Sequence, residues 1–245
     1  MTSDFEPDTT DQPPRARLKR AGQALSHLLS YGQMLRVPVV LCLVLICCLI
    51  ELTLEAADAG LVGSKLWRSL AYQYGAFWEG LLYNWRPNYG GQPALMFLSY
   101  AFLHADFWHM SGNMLALLVL ARLVLARTGQ GGFLVIYGVS ALGGALVFAL
   151  LAQTAAPMVG ASGALFGLAG GWQYWEWRDL RQAGLPMAPI WRVCWALILL
   201  NGLLWVLNDG ALAWQTHLGG FVFGWGAAMV LNWGLNRWQK GKDLP

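Results

Sequence analysis

The sequence predicts an all-α, polytopic membrane protein: a bundle of six transmembrane helices with a long interfacial loop between the first and second. Three observations lead there. Of the 245 residues, 57% are hydrophobic and 12% charged, against roughly 25% charged in a soluble globular domain. Six apolar runs, each bounded by charge, proline or glycine, recur along the chain. The basic residues fall on alternate connections between those runs, which is the charge signature of membrane orientation.

Taken in order, residues 1 to about 14 are acidic, proline-containing and short of large apolar groups, so they are expected to be disordered. The next stretch, "RARLKRAGQALSHLLSYGQMLR", is basic with leucines at helical spacing, and reads as an amphipathic surface helix or a solvated linker. No positively charged segment opens the chain and no AxA-like site follows the first apolar run, so no cleaved signal peptide is expected. Residues 1–36 thus form a cytoplasmic tail, 37–235 the membrane domain, and 236–245 a short basic cytoplasmic tail.

The apolar runs cover 37–54, 108–126, 131–153, 162–175, 193–207 and 216–235. In hydrocarbon the backbone must bond to itself, which leaves helices or closed barrels, and these runs are too long and continuous for alternating barrel strands. The fourth and fifth runs, about 14 or 15 residues, fall short of the roughly 20 needed to span about 30 Å. Local thinning of the bilayer, or helix ends lying beside water below the surface, would accommodate them.

With the N-terminus cytoplasmic, the inner side carries Arg15, Arg17, Lys19, Arg20, Arg36, Arg122, Arg127, Arg178, Arg181, Arg192, Arg237, Lys240 and Lys242. The outer side carries Lys65, Arg68 and Arg86, a 13 to 3 division that follows the positive-inside rule. The basic residues flank apolar runs, so the formal charge of +3 points to a lipid bilayer as partner and not to nucleic acid. Residues 55–107 hold Trp67, Tyr72, Tyr74, Phe77, Trp78, Tyr83, Trp85 and Tyr89, a density that suits a loop half-sunk in the interface. Its middle, "NWRPNYGGQP", breaks any helix there. The fourteen tryptophans suit interfacial anchoring, most plainly in "GWQYWEWRD" at the inner end of the fourth helix. Cys42, Cys47, Cys48 and Cys194 lie in apolar segments without metal-site spacing, and read as small apolar side chains.

Strongly polar groups at membrane depth are costly and mark functional sites. Three clusters qualify: "HADFWHMSGN", "GASGALFG" and "THLGGFVFG". His109 and Asn113, four residues apart, share one face of the second helix; Ser162 starts the fourth and His217 the sixth. These helices run in the same direction, so all three clusters lie at the outer end of the membrane. Gly163 and Gly167, and Gly220 and Gly224, form small-residue pairs that let helices four and six approach closely. Such spacing alone is more often helix packing than chemistry, and it is the joint occurrence at one depth that points to a site. Ser162 needs a base to become a nucleophile, and His217 is suited to that role. The backbone N–H of Ser162, the His109 ring and the Asn113 amide are candidate oxyanion donors, with Gly160 and Ala161 leaving the approach open. Asp209 is the only nearby acid and lies in the preceding loop, so a Ser-His dyad is favoured over a triad. Phe166, one turn after Ser162, is expected to pack, against His217 among other groups.

These residues resemble the rhomboid family of intramembrane serine proteases: HxxxxHxxxN at His104, His109 and Asn113, GxSG at Gly160 to Gly163, and HxxGxxxG at His217, Gly220 and Gly224. The resemblance extends over about residues 37–235. It implies a six-helix bundle with a Ser-His dyad in a water-filled cavity below the outer surface. Ser162 would be the nucleophile and His217 the base, His109 and Asn113 would aid the oxyanion, and His104 would be mainly structural. Two positions depart from the family pattern. A Trp-Arg pair is common where this chain has Leu95 and Met96, although Trp85-Arg86 occurs ten residues earlier, and the tyrosine common four residues after the nucleophile is Phe166. The expected activity is endopeptidase cleavage of transmembrane protein substrates in or beside a membrane helix, without metal or organic cofactor, at a bacterial inner membrane with both termini cytoplasmic. The rival readings are a rhomboid-like pseudoprotease that binds transmembrane helices, and a small transporter, which would prefer internal repeats or charges at mid-membrane.

Overall fold

The computed structural model describes residues 38–242, with side chains through 234; the expected N-terminal tail over 1–36 lies outside them. Helix α1 (Pro38–Asp58) is followed by two short helices, α2 (Trp67–Gly75) and α3 (Gln92–Ser99), then α4 (Phe107–Leu151), α5 (Ser162–Gln182), α6 (Ala188–Leu207) and α7 (Trp214–Lys242). No strand occurs among the described residues, and a lone bridge joins Phe77 to Met158. By length and composition α1, α4 and α6 could each cross a membrane. The more polar α5 and α7 carry the serine and histidine clusters.

The second and third apolar runs meet without a loop. α4 is helical over 45 residues except at Gly129, whose φ of 65° and ψ of −171° turn the backbone out of the helical region, as glycine can at little cost. Two helices therefore abut there. The fourth and fifth helices are longer than their apolar runs suggest, at 21 and 20 residues, so neither is short. Hydrocarbon-like composition ends at Trp175, but the helical ladder continues because Asp179 is engaged by Arg127 at 2.7 Å and Arg178 by Asn232. It stops at left-handed Gly184, φ 63°, the usual way a helix is ended. α6 begins earlier than expected, with Pro189 in its first turn, where the absent N–H costs nothing.

The second half of α4, α5 and α7 form the tightest part of the bundle, with Phe133, Ile136, Ala145, Leu168 and Ala228 shut off from solvent. The aromatic run at the inner end of α5 departs from its interfacial reading. Tyr174 and Trp175 are buried, and Tyr174 packs edge-on against Trp225 of α7 with ring centres 5.7 Å apart. Their helix is enclosed at that point, so protein and not lipid headgroup receives the rings.

The connection between α1 and α4 is ordered along its inner side. Phe77 is fully buried, with Phe97, Tyr100 and Phe148 set edge-on around it at 5.0, 6.4 and 5.7 Å, the geometry aromatic quadrupoles prefer. Tyr83 and Trp85 on the same connection remain exposed. Its turn-rich middle stays irregular until Gly91, φ 87°, admits α3.

Candidate active site

Ser162 is the first residue of α5, and His217 lies in the first turn of α7. The glycines of both helices bring the two side chains together. A Cβ on Gly220 would collide with the carbonyl oxygen of Gly163, and one on Gly224 with that of Gly167. Backbone thus lies on backbone, the approach that small residues permit in membrane bundles. The result is 2.8 Å between Ser162 Oγ and His217 Nε2. Phe166 stacks on the His217 ring at 4.2 Å with 5° between the planes, so the aromatic ring is retained where the family's hydroxyl is absent. At the ring's far side, Nδ1 meets Asn201 Oδ1 of α6 at 2.6 Å.

The loop before α5 is clamped from two sides. Met158 exchanges two backbone hydrogen bonds with Phe77, and Gly160 N–H donates to the Tyr100 carbonyl. Gly160 has φ +124°, and a Cβ there would stand 3.0 Å from His109 Nε2 and 3.8 Å from Ser162 Oγ. Only glycine suits that backbone, and its missing side chain leaves the space between the His109 ring and the serine hydroxyl open.

His109 reaches that space because α4 starts where it does. Asp106 caps the helix by accepting from the His109 N–H at 2.8 Å, which satisfies one of the first turn's free donors. Ala105 N–H donates to His109 Nδ1 at 3.3 Å, so in the neutral ring the proton sits on Nε2, the atom that faces Gly160. Asn113, one turn on, spends an amide N–H on the His109 carbonyl at 2.8 Å and keeps its second. His104 is fully buried and packs edge-on against His109 at 5.3 Å. Burial pushes its imidazole down to about 3, with His109 adding to the effect, so it packs as a neutral ring.

Ser162, His217, the His109 ring and the glycine pairs therefore lie close together. Two contributors escaped the sequence reading. Asn201 was detectable by the same signal as the others, an amide inside the apolar run "ILLNGLLW". Arg68 was not. It pairs with Glu51 at 2.9 Å, Asp58 at 2.5 Å and Glu55 at 3.4 Å, and donates to the carbonyls of His104 and Ala105 at 3.3 and 3.2 Å. Tyr72 O–H donates to the same His104 carbonyl at 2.7 Å. Arg68 follows Trp67, whereas the Trp85-Arg86 pair is solvent-facing. The arginine that ties the His104 segment to α1 thus comes from 36 residues upstream.

Fold and site define an integral membrane protein of helices with a serine hydroxyl bonded to a histidine at a buried glycine-lined interface. A family model described as "Rhomboid domain" matches residues 91–233, and the chain belongs to the rhomboid family. It is 33% identical over 131 residues to "Rhomboid protein 1, mitochondrial" of Saccharomyces cerevisiae. That match spans 51% of this chain and 38% of the yeast protein.

Proposed function

We propose that this protein is an intramembrane serine endopeptidase that cleaves transmembrane segments of other membrane proteins. The observation that carries the reading is the 2.8 Å contact between Ser162 Oγ and His217 Nε2, the nucleophile and base arrangement that serine acyl transfer requires. In the reading, α4 crosses the bilayer twice, breaking at Gly129, which with α1, α5, α6 and α7 makes six crossings.

His217 Nε2 takes the Ser162 proton as Oγ bonds to the scissile carbonyl carbon. In this reading the negative charge that develops on the carbonyl oxygen is met by His109 Nε2–H, the Ser162 backbone N–H and the second amide hydrogen of Asn113; the nearness of His109 Nε2 and Ser162 Oγ to the open side of Gly160 supports the first. Collapse breaks the C–N bond, and the imidazolium returns its proton to the leaving amine, leaving an ester on Ser162. Water, deprotonated by the same imidazole, hydrolyses that ester and restores the hydroxyl. A substrate helix buries its carbonyls in i to i+4 bonds, so glycine or another weak helix former near the cut favours cleavage.

The test is cleavage of single-span reporters in membranes together with labelling by a fluorophosphonate. Wild type is expected to cleave and label, and Ser162→Ala and His217→Ala to do neither. His109→Ala is expected to lose roughly ten- to a thousandfold in cleavage, as single oxyanion donors do. The same cleavage by Ser162→Ala as by wild type would overturn the assignment. Binding of reporter helices without labelling or cleavage by wild type would favour a pseudoprotease.

A further inference from the structure

We propose that Asn201, on α6, is a positioning residue that selects the tautomer and orientation of His217; the catalytic consequence rests on the protease reading above. Its amide is oriented by its own helix. Asn201 Nδ2 donates to the Leu197 carbonyl at 3.0 Å, and since a carbonyl can only accept, the nitrogen and oxygen ends of the amide are assigned. The oxygen is therefore the atom 2.6 Å from His217 Nδ1. An amide oxygen only accepts, so Nδ1 carries the proton. The neutral imidazole has one proton, which leaves Nε2 bare and facing Ser162 Oγ. A base that must abstract the serine proton needs that tautomer, and among the described residues no carboxylate supplies it: Asp209 is exposed on the loop before α7. The titratable side chain facing His217 is His109 of α4, while α5 presents Ser162 and Phe166 and α6 presents the uncharged Asn201.

An asparagine thus holds the position that an aspartate holds in a Ser-His-Asp triad, fixing the ring without adding charge. Two consequences separate this from mere packing. Loss of the acceptor frees the ring to populate the Nε2–H tautomer, which cannot take the serine proton. A carboxylate in its place would keep the tautomer and favour the imidazolium, moving the acid limb of the pH-rate profile upward by about one unit or more.

The experiment uses the full chain in detergent micelles, with Asn201→Leu, of similar volume and no acceptor, and Asn201→Asp. The first readout needs no turnover. Nitrogen-15 spectra of the histidines, with His217 assigned by its loss in His217→Phe, are expected to show a bare Nε2 in wild type and in Ser162→Ala, and a tautomer mixture in Asn201→Leu. The second is reporter cleavage. Asn201→Leu is expected to lose about ten- to a hundredfold in kcat with KM within twofold, and Asn201→Asp to stay active with its acid limb shifted up. An Nε2–H tautomer in wild type, identical spectra in wild type and Asn201→Leu, or equal losses in both variants with an unmoved pH profile would each overturn the proposal. Should the spectra come out as expected while wild type cleaves nothing, the hydrogen bond stands and the protease reading fails.

Discussion

Two helices, α5 and α6, reach His217 in opposite ways. α5 lies against α7 backbone to backbone, with Gly163 and Gly167 under Gly220 and Gly224. α6 buries only Ile190 of its twenty residues, and reaches the histidine through the side chain of Asn201. A backbone contact has no rotamer to change, so the separation of the α5 and α7 backbones that carry Ser162 and His217 is set as rigidly as the helices themselves. A side-chain contact from a sparsely packed helix is adjustable, so the α6 hydrogen bond is the more readily broken of the two. The difference assigns precision to α5 and adjustability to α6.

The comparison breaks most severely at the glycine seam. Gly220→Val pushes its side chain into the Gly163 carbonyl, which cannot swing aside. We expect destabilisation of about 3 kcal/mol or more and at least a hundredfold loss of reporter cleavage, since a displacement near 1 Å costs that much. Thermal unfolding in micelles and reporter turnover measure both. Unchanged unfolding and cleavage would show the seam to be looser than its geometry.

Next in size is the ion cluster that ties α1 to the His104 segment. Arg68→Met leaves Glu51, whose side chain is 0% exposed, without its cation, a loss expected to cost about 3 kcal/mol. Adding Glu51→Gln to that variant removes the stranded charge and is expected to restore much of the unfolding temperature. A double variant no more stable than Arg68→Met would mean that the arginine acts mainly through its bonds to the His104 and Ala105 carbonyls.

Phe166→Ala removes the ring stacked on His217 but leaves the seam intact, and aromatic stacking is worth about 1 kcal/mol. A fall of about fivefold in kcat is expected, with unfolding little changed; a loss as large as that of Ser162→Ala would move Phe166 from support to chemistry. Smallest of all is Leu203→Ala on α6, 57% exposed, expected to alter stability by less than about 0.5 kcal/mol and cleavage by less than twofold. A large effect there would mean that α6 is seated by more than Ile190 and Asn201.

Much of this was legible in the sequence because membrane burial makes polar residues conspicuous. Ser162, His217, His109 and Asn113 stood out against apolar neighbours, and the glycine spacing named the helix pair that would bring Ser162 and His217 together. Helix ends were less legible. Apolar runs mark where hydrocarbon suits a helix, but α5 continues beyond Trp175 through polar residues engaged by other helices. Asn201 was visible as a lone amide, yet which group it would meet depends on how α6 rotates about its axis, and a helix apolar on nearly every side carries no pattern to set that rotation. Arg68 and its carboxylates meet across a connection whose path no periodicity predicts.

The sequence by itself determined the all-helical class, the apolar segments and the residues able to do chemistry, because these follow from local rules of hydrogen bonding, hydropathy and side-chain type. Tertiary structure alone decided the pairings: which nitrogen of His217 meets Ser162 and which meets Asn201, which atoms of His109 look at Gly160, and which arginine holds the His104 segment. Those depend on distances of an ångström or less between groups far apart in the chain, which only the packed bundle sets.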